Sequence, residues 1–149
     1  MNTKRIQRFK NLEIYPCSTK KRLSLPLISE GISAGFPSPA MDFEDIAIDL
    51  NKELIKNPPT TFFGRVKGHS MRDAGIFNND LLIIDKSLPI SNNKIAVCYI
   101  DGEFTIKRVT IEKDYVWLIP ENESYKPIKV TPDSELIIWG IIIHSIKSF

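Results

Sequence analysis

A mainly β fold of short twisted strands and hairpins, with one short helix near its start and an extended arm before it, is predicted by three observations. Short apolar runs recur from Thr60 onward at the intervals of a β-rich domain. Asn92-Asn93 and Asp101-Gly102 punctuate those runs as turns. Gly35-Phe36-Pro37-Ser38-Pro39 separates them from a polar beginning that Pro16 and Pro26 interrupt. The 149 residues, 42% of them hydrophobic, fit one compact domain plus some unpacked length.

The expected organisation is an extended basic arm over residues 1–34 and a β domain over residues 35–149. In the arm, Leu23, Leu25 and Leu27 alternate as in a strand with one apolar face, so this part is expected to lie against a partner or its own domain. Gly35-Phe36-Pro37-Ser38-Pro39 reads as a stiff, non-helical hinge, since proline fixes its own φ and restrains the residue before it. Asp42 then opens a helical segment in which Phe43, Ile46, Ala47, Leu50 and Leu54 recur at three- and four-residue spacing, and Asn57-Pro58-Pro59 stops it. The expected strands are residues 60–66, 81–85, 94–100, 103–109, 115–119 and 135–146, with Asp101-Gly102 closing a tight hairpin.

The net charge of +2 conceals an asymmetry: residues 1–34 carry seven Lys/Arg against two acids, a net +5, and the remainder is −3. An acidic remainder is not the footprint of a domain that grips DNA phosphates by itself. The basic arm suits either contact with an acidic partner or nucleic acid, or a solvated tail. No window approaches the apolar length of a membrane span and no export signal is evident, so a cytoplasmic location is expected. Cys17 and Cys98 lie far apart in unlike contexts and suggest no disulfide framework; Cys98, inside Ile95-Ala96-Val97-Cys98-Tyr99-Ile100, reads as a small buried apolar group. Two histidines and no Cys-x-x-Cys leave no credible metal site, and no glycine loop for a phosphate or dinucleotide is present, so no cofactor is expected.

Gly68-His69-Ser70-Met71 sets a serine before an apolar strand. Alone, the string also fits a helix start, with Ser70 as cap and Gly75 as terminator. In residues 103–109, alternation puts Thr105, Lys107 and Val109 on one face and Phe104 and Ile106 on the other, so one lysine points with apolar neighbours. A serine hydroxyl needs a base, and a desolvated lysine can serve. Neutralising a lysine at pH 7 costs roughly 4.6 kcal/mol from its usual pKa of about 10.4, and burial can depress that pKa by about 3 to 5, which suffices. A lysine snorkelling from an edge strand is the competing reading. His69 is adjacent to Ser70, and neighbouring side chains diverge, so it is rejected as the base. His144 in Ile141-Ile142-Ile143-His144 reads as structural, and Asp80 and Asp85 as turn and strand-end residues.

Gly-x-Ser-Met-x-x-x-Gly-Ile with the following aspartate (68–80), Asp-Gly-Glu-Phe-Thr-x-Lys (101–107) and Ala-Gly-Phe-Pro-Ser-Pro-Ala (34–40) together resemble the LexA/UmuD family of self-cleaving serine peptidases, most closely its UmuD branch. Ile48-Asp49-Leu50-Asn51 and Leu118-x-Pro-x-Asn-x-x-Tyr-x-Pro-Ile add to the match, which runs from about Ala34 onward. The resemblance implies a LexA/UmuD C-terminal-like peptidase domain. It implies Ser70 as nucleophile, Lys107 as general base, the backbone amides of His69 and Ser70 as oxyanion hole, and Ala34-Gly35 as the bond cut. It further implies a homodimer, a RecA–DNA filament as activator of cleavage, and a trimmed form that joins a UmuC-like error-prone translesion DNA polymerase in SOS mutagenesis.

Three other readings compete. A repressor of the LexA or phage type needs a DNA-binding headpiece, for which residues 1–34 show no helical periodicity. A signal peptidase, which also pairs serine with lysine, needs a membrane anchor. A non-enzymatic interaction module of the same fold predicts an intact chain under all conditions.

Overall fold

The structure is a computed structural model, and it describes residues 7–9, 12–27, 34–35 and 46–149. The chain divides into two compact units, Met1–Cys17 with Asn57–Phe149, and Ser18–Lys56.

The larger unit is built on one antiparallel sheet. Its strands are β1 (Gln7–Phe9), β2 (Leu12–Pro16), β5 (Thr61–Val66), β6 (Leu81–Asp85), β7 (Ile95–Ile100), β8 (Glu103–Ile111), β9 (Val116–Ile119), β10 (Ile128–Val130) and β11 (Leu136–Ile146), in the order β1-β2-β5-β6-β11-β7-β8-β9-β10. The six strands expected from apolar runs are present. Between β7 and β8, Asp101 (φ 48°) and Gly102 (φ 84°) both take the left-handed conformation of a tight two-residue hairpin turn, which the Asp-Gly pair accommodates. β11 serves two neighbours, pairing with β6 through Ile141–Ile146 and with β7 through Leu136–Ile141, and its register shifts once against each.

Two apolar clusters form the core. Leu12, Ile14, Val66, Met71, Ile76, Leu82, Ile84, Val97 and Ile106 make the first, while Ala96, Cys98, Val109, Leu118, Val130 and Ile141 make the second. The strand alternation read for β8 holds, since Ile106 joins one cluster and Val109 the other.

The first part of the extended arm expected over residues 1–34 is a paired strand of the larger unit. β2 pairs with β5 in five registered positions, Leu12↔Val66 to Pro16↔Phe62, and Leu12 and Ile14 are only 1% and 3% exposed. The reason is a short alternation, Leu12 and Ile14 inward with Glu13 and Tyr15 between them, set within a basic stretch. Gly64 on β5 makes room for it. A Cβ there would lie 3.0 Å from Leu12 Cδ1 and 2.9 Å from Ile84 Cδ1, so the missing side chain lets β2 and β6 close over β5.

The smaller unit pairs β3 (Ser24–Leu27) with β4 (Ile46–Asp49), followed by helix α1 (Leu50–Leu54). The expected strand at Leu23–Leu27 is thus present. The helix expected from Asp42 is shorter: residues 42–45 lie outside the described residues, Ile46–Asp49 is strand, and the helix starts only at Leu50. The alternating β-branched residues Ile46 and Ile48 suit a strand once β3 offers a ladder. Asp49, not Asp42, is the cap, and its carboxylate accepts from Asn51 N at 3.1 Å and Leu23 N at 3.2 Å.

Candidate active site

Ser70 sits in the turn that leaves β5, and Lys107 sits in the middle of β8. The turn starts at Gly68, whose φ of 105° is open to glycine and strained for other residues, and Asn78 Oδ1 accepts from Gly68 N at 2.9 Å. A short 3-10 turn, Arg72–Ala74, follows and ends at left-handed Gly75. Its cap position is Met71, not Ser70, so the serine hydroxyl is not used for capping.

Lys107 Nζ donates to Ser70 Oγ at 3.2 Å, to Thr105 Oγ1 at 2.5 Å and to Ile106 O at 3.0 Å. It shares its face of the sheet with Thr105 and with the directly paired Ala96 and Cys98. Lys107 is 6% exposed, and burial of the ammonium pulls its pKa below the usual lysine value. The neighbouring Cys98 opposes this only when ionised. Burial pushes that thiol up to about 12, so the sulfur is uncharged near neutrality and offers the ammonium no counter-charge. Lys107 is thus a buried amine whose neighbours are hydroxyls and a carbonyl, an arrangement suited to accepting a proton from Ser70.

A clamp holds the serine turn. The segment between β9 and β10 supplies Glu121, whose N donates to Ser70 O at 2.8 Å and whose O accepts from Asp73 N at 2.7 Å. Buried Asn122 donates from Nδ2 to His69 O at 2.8 Å, and its Oδ1 accepts from Ser124 N at 3.0 Å. Arg108 pairs with Glu121 and also donates to Asn93 O at 2.7 Å, tying this segment to β8. The turn's carbonyls are engaged, while the N–H groups of His69 and Ser70 donate in none of these bonds. Sequence reasoning assigned no role to Asn122, Glu121 or Thr105, although Asn122 stood inside a motif and Thr105 on the lysine's face.

The cleft at the pair has a volume of about 270 Å³ and is lined by the Lys67–Met71 turn, by Thr105–Lys107, and by Tyr125, Lys126 and Ile128. On its rim, Lys67 Nζ lies 3.0 Å from Glu13 Oε1 of β2. Ala34 and Gly35 form an exposed bend in the smaller unit.

Of the other residues singled out in the sequence, His69 lines the cleft, while His144, Cys17, Asp80 and Asp85 do not. His69 is exposed beside Ser70, and half-buried His144 lies in β11 against Ile83. Cys17 Sγ donates to Pro58 O at 3.5 Å. Asp80 and Asp85 do stand in a turn and at a strand end, but each is a buried hub. Asp80 accepts from Phe77 N at 2.9 Å and Lys147 Nζ at 2.8 Å; Asp85 accepts from Asn57 at 2.7 Å, Thr60 at 2.9 Å and Ser87 at 2.7 and 2.8 Å.

A mainly antiparallel β domain with a buried lysine on a serine hydroxyl defines a class, and comparison with known proteins agrees with it. Residues 26–143 match the family described as Peptidase S24-like, and the chain belongs to that family. MucA of Salmonella typhimurium is 37% identical over 137 residues, covering 91% of this chain and 93% of MucA. SamA of Salmonella typhimurium (strain LT2) is 38% identical over 126 residues, 83% of this chain and 87% of SamA. The LexA repressor of Alcanivorax borkumensis is 38% identical over 123 residues, 83% of this chain but 59% of the repressor.

Proposed function

We propose that this chain cuts its own Ala34-Gly35 bond with Ser70 as nucleophile and Lys107 as base, and that the trimmed form serves an error-prone translesion DNA polymerase. The observation that carries the first part is the 3.2 Å approach of Lys107 Nζ to Ser70 Oγ at a buried site. Relatives that match nearly end to end, MucA and SamA, favour the second part over a repressor role. None of the described residues before Gly35 is helical, which also disfavours a DNA-reading headpiece there.

In this mechanism neutral Lys107 takes the Ser70 proton as Oγ attacks the Ala34 carbonyl. The resulting oxyanion is held by the N–H groups of His69 and Ser70, an arrangement that contributes about 2.7 to 4 kcal/mol per donor where measured. The protonated lysine then gives its proton to the Gly35 nitrogen, the C–N bond breaks, and an acyl ester of Ser70 remains. Water, deprotonated by the same lysine, hydrolyses the ester and restores Ser70. Small side chains on both sides of the bond suit a narrow cleft beside a buried amine. A homodimer in the cytoplasm, a RecA–DNA filament as activator and a UmuC-like polymerase as partner complete the proposal, with no sequence-specific DNA contact by this chain.

Intact-mass spectrometry after mildly alkaline incubation tests it. The expected result is two pieces divided between Ala34 and Gly35 in wild type, and one intact chain in Ser70→Ala and Lys107→Ala. An unchanged wild-type mass, or equal cleavage in the variants, overturns it.

A further inference from the structure

Two ladders straddle the Ala34-Gly35 bond. β2 lies on its amino-terminal side and β5 on its carboxy-terminal side, and they pair from Leu12↔Val66 to Pro16↔Phe62. In the smaller unit β3 and β4 likewise lie on opposite sides and pair from Ser24↔Asp49 to Leu27↔Ile46. Bonds outside the ladders add to both. Lys67 binds Glu13 at 3.0 Å and Cys17 donates to Pro58 O; Asn51 donates to Lys21 O at 2.6 Å, and Leu50 N to Leu23 O at 2.8 Å. None of these involves Ala34 or Gly35, which form an exposed bend. Leu12 and Ile14 also sit in the same core cluster as Met71, the residue after the serine. Removing β2 would empty two core positions and expose the ladder groups of β5.

We propose that cutting the Ala34-Gly35 bond nicks the protein without releasing residues 1–34, which stay bound to residues 35–149 as a two-strand ligand through β2 on β5 and β3 on β4. The reading above supplies only which bond is cut. Peptide hydrolysis at an exposed bend removes a tether but no strand pairing, and the buried side chains of β2 keep their sites. Loss of the segment is then a separate step, and exchange of β2 for another extended strand becomes available only after the nick.

The test uses full-length Ser70→Ala chain with a site-specific protease sequence inserted between Ala34 and Gly35, so self-cleavage plays no part. After complete nicking, verified by denaturing mass spectrometry, gel filtration and native mass spectrometry at micromolar concentration are expected to show both pieces in one particle. A particle containing residues 35–149 alone overturns the proposal. In a second arm Leu12→Ala/Ile14→Ala, nicked in the same way, is expected to hold its fragment at least about thirtyfold more weakly on dilution. Unchanged retention in that variant overturns the assignment to β2, and the first arm decides the matter if the variant does not fold. Failure of self-cleavage registers instead in the wild-type mass measurement.

Discussion

Lys107 lies closer to Thr105, two residues back on its own strand, than to Ser70: 2.5 Å against 3.2 Å. The threonine hydroxyl accepts from the ammonium and so favours the charged amine, against the burial that lowers the lysine's pKa. The cleavage rate should rise with pH through a midpoint below the ordinary lysine value. In Thr105→Val the ammonium loses an acceptor, and the midpoint should move down. Initial rates across a pH series check this, and an upward shift would contradict it. Cys98→Ala should leave the midpoint nearly unmoved, because that thiol ionises only at about 12.

The buried lysine should also limit stability. A depressed folded pKa means that, between it and the unfolded value of about 10.4, the unfolded chain holds more protons, so wild-type stability rises with pH across that window. Lys107→Met keeps much of the side-chain length without the charge. It should be more stable at neutral pH by on the order of 1 kcal/mol, and the gain should shrink as pH approaches 10.4. Urea denaturation at several pH values measures the difference, and a gain that grows with pH would refute the reasoning.

Asp85 should set part of the acid limit. Burial alone would raise its pKa, but hydrogen bonds from Asn57, Ser87 and Thr60 outweigh it and hold the carboxyl below the usual range. A depressed carboxyl contributes stability that is present above the unfolded pKa of about 3.9 and lost as pH falls through the folded value. Asp85→Asn turns an acceptor hub partly into a donor and should destabilise by about 2 kcal/mol or more at neutral pH. The gap from wild type should narrow below about pH 4. Denaturant titrations on both proteins would show a constant gap if the carboxylate charge were irrelevant.

Asn122 should act on the reaction without touching the lysine. Its Nδ2 holds His69 O, and that carbonyl belongs to the same peptide group as Ser70 N–H, one of the two donors assigned to the oxyanion. Asn122→Ala frees that peptide to rotate and weakens its polarisation, so cleavage should slow by about tenfold or more. The pH midpoint should stay where wild type has it, because Lys107 keeps all its partners. A shifted midpoint would mean that the substitution disturbs the base instead.

Much of the fold could be read before any coordinates, because β5 to β9 and β11 carry apolar runs long enough to announce themselves and Asp101-Gly102 admits few other conformations. The serine and lysine were legible through spacing and motif. What escaped was decided by tertiary pairing. β2 hides two core residues in a basic, proline-ended stretch, and β10 has only three residues. Ile46 to Leu54 satisfies a helical period, yet β3 claims its first four residues as a strand. Asn122 carries no chemistry of its own, so only its seat beneath His69 reveals it.

Ser70 and Lys107 occupy opposite wings of the sheet. Ser70 follows β5, Lys107 is on β8, and within the sheet the wings meet only along β11, between β6 and β7. A ribosome has therefore made both residues well before residues 136–146 exist to bring them together. Under the proposed cleavage, a chain still being synthesised would carry its nucleophile, its base and its target bond without a working arrangement of them, and the order of translation would keep the nascent protein from cutting itself before it is whole.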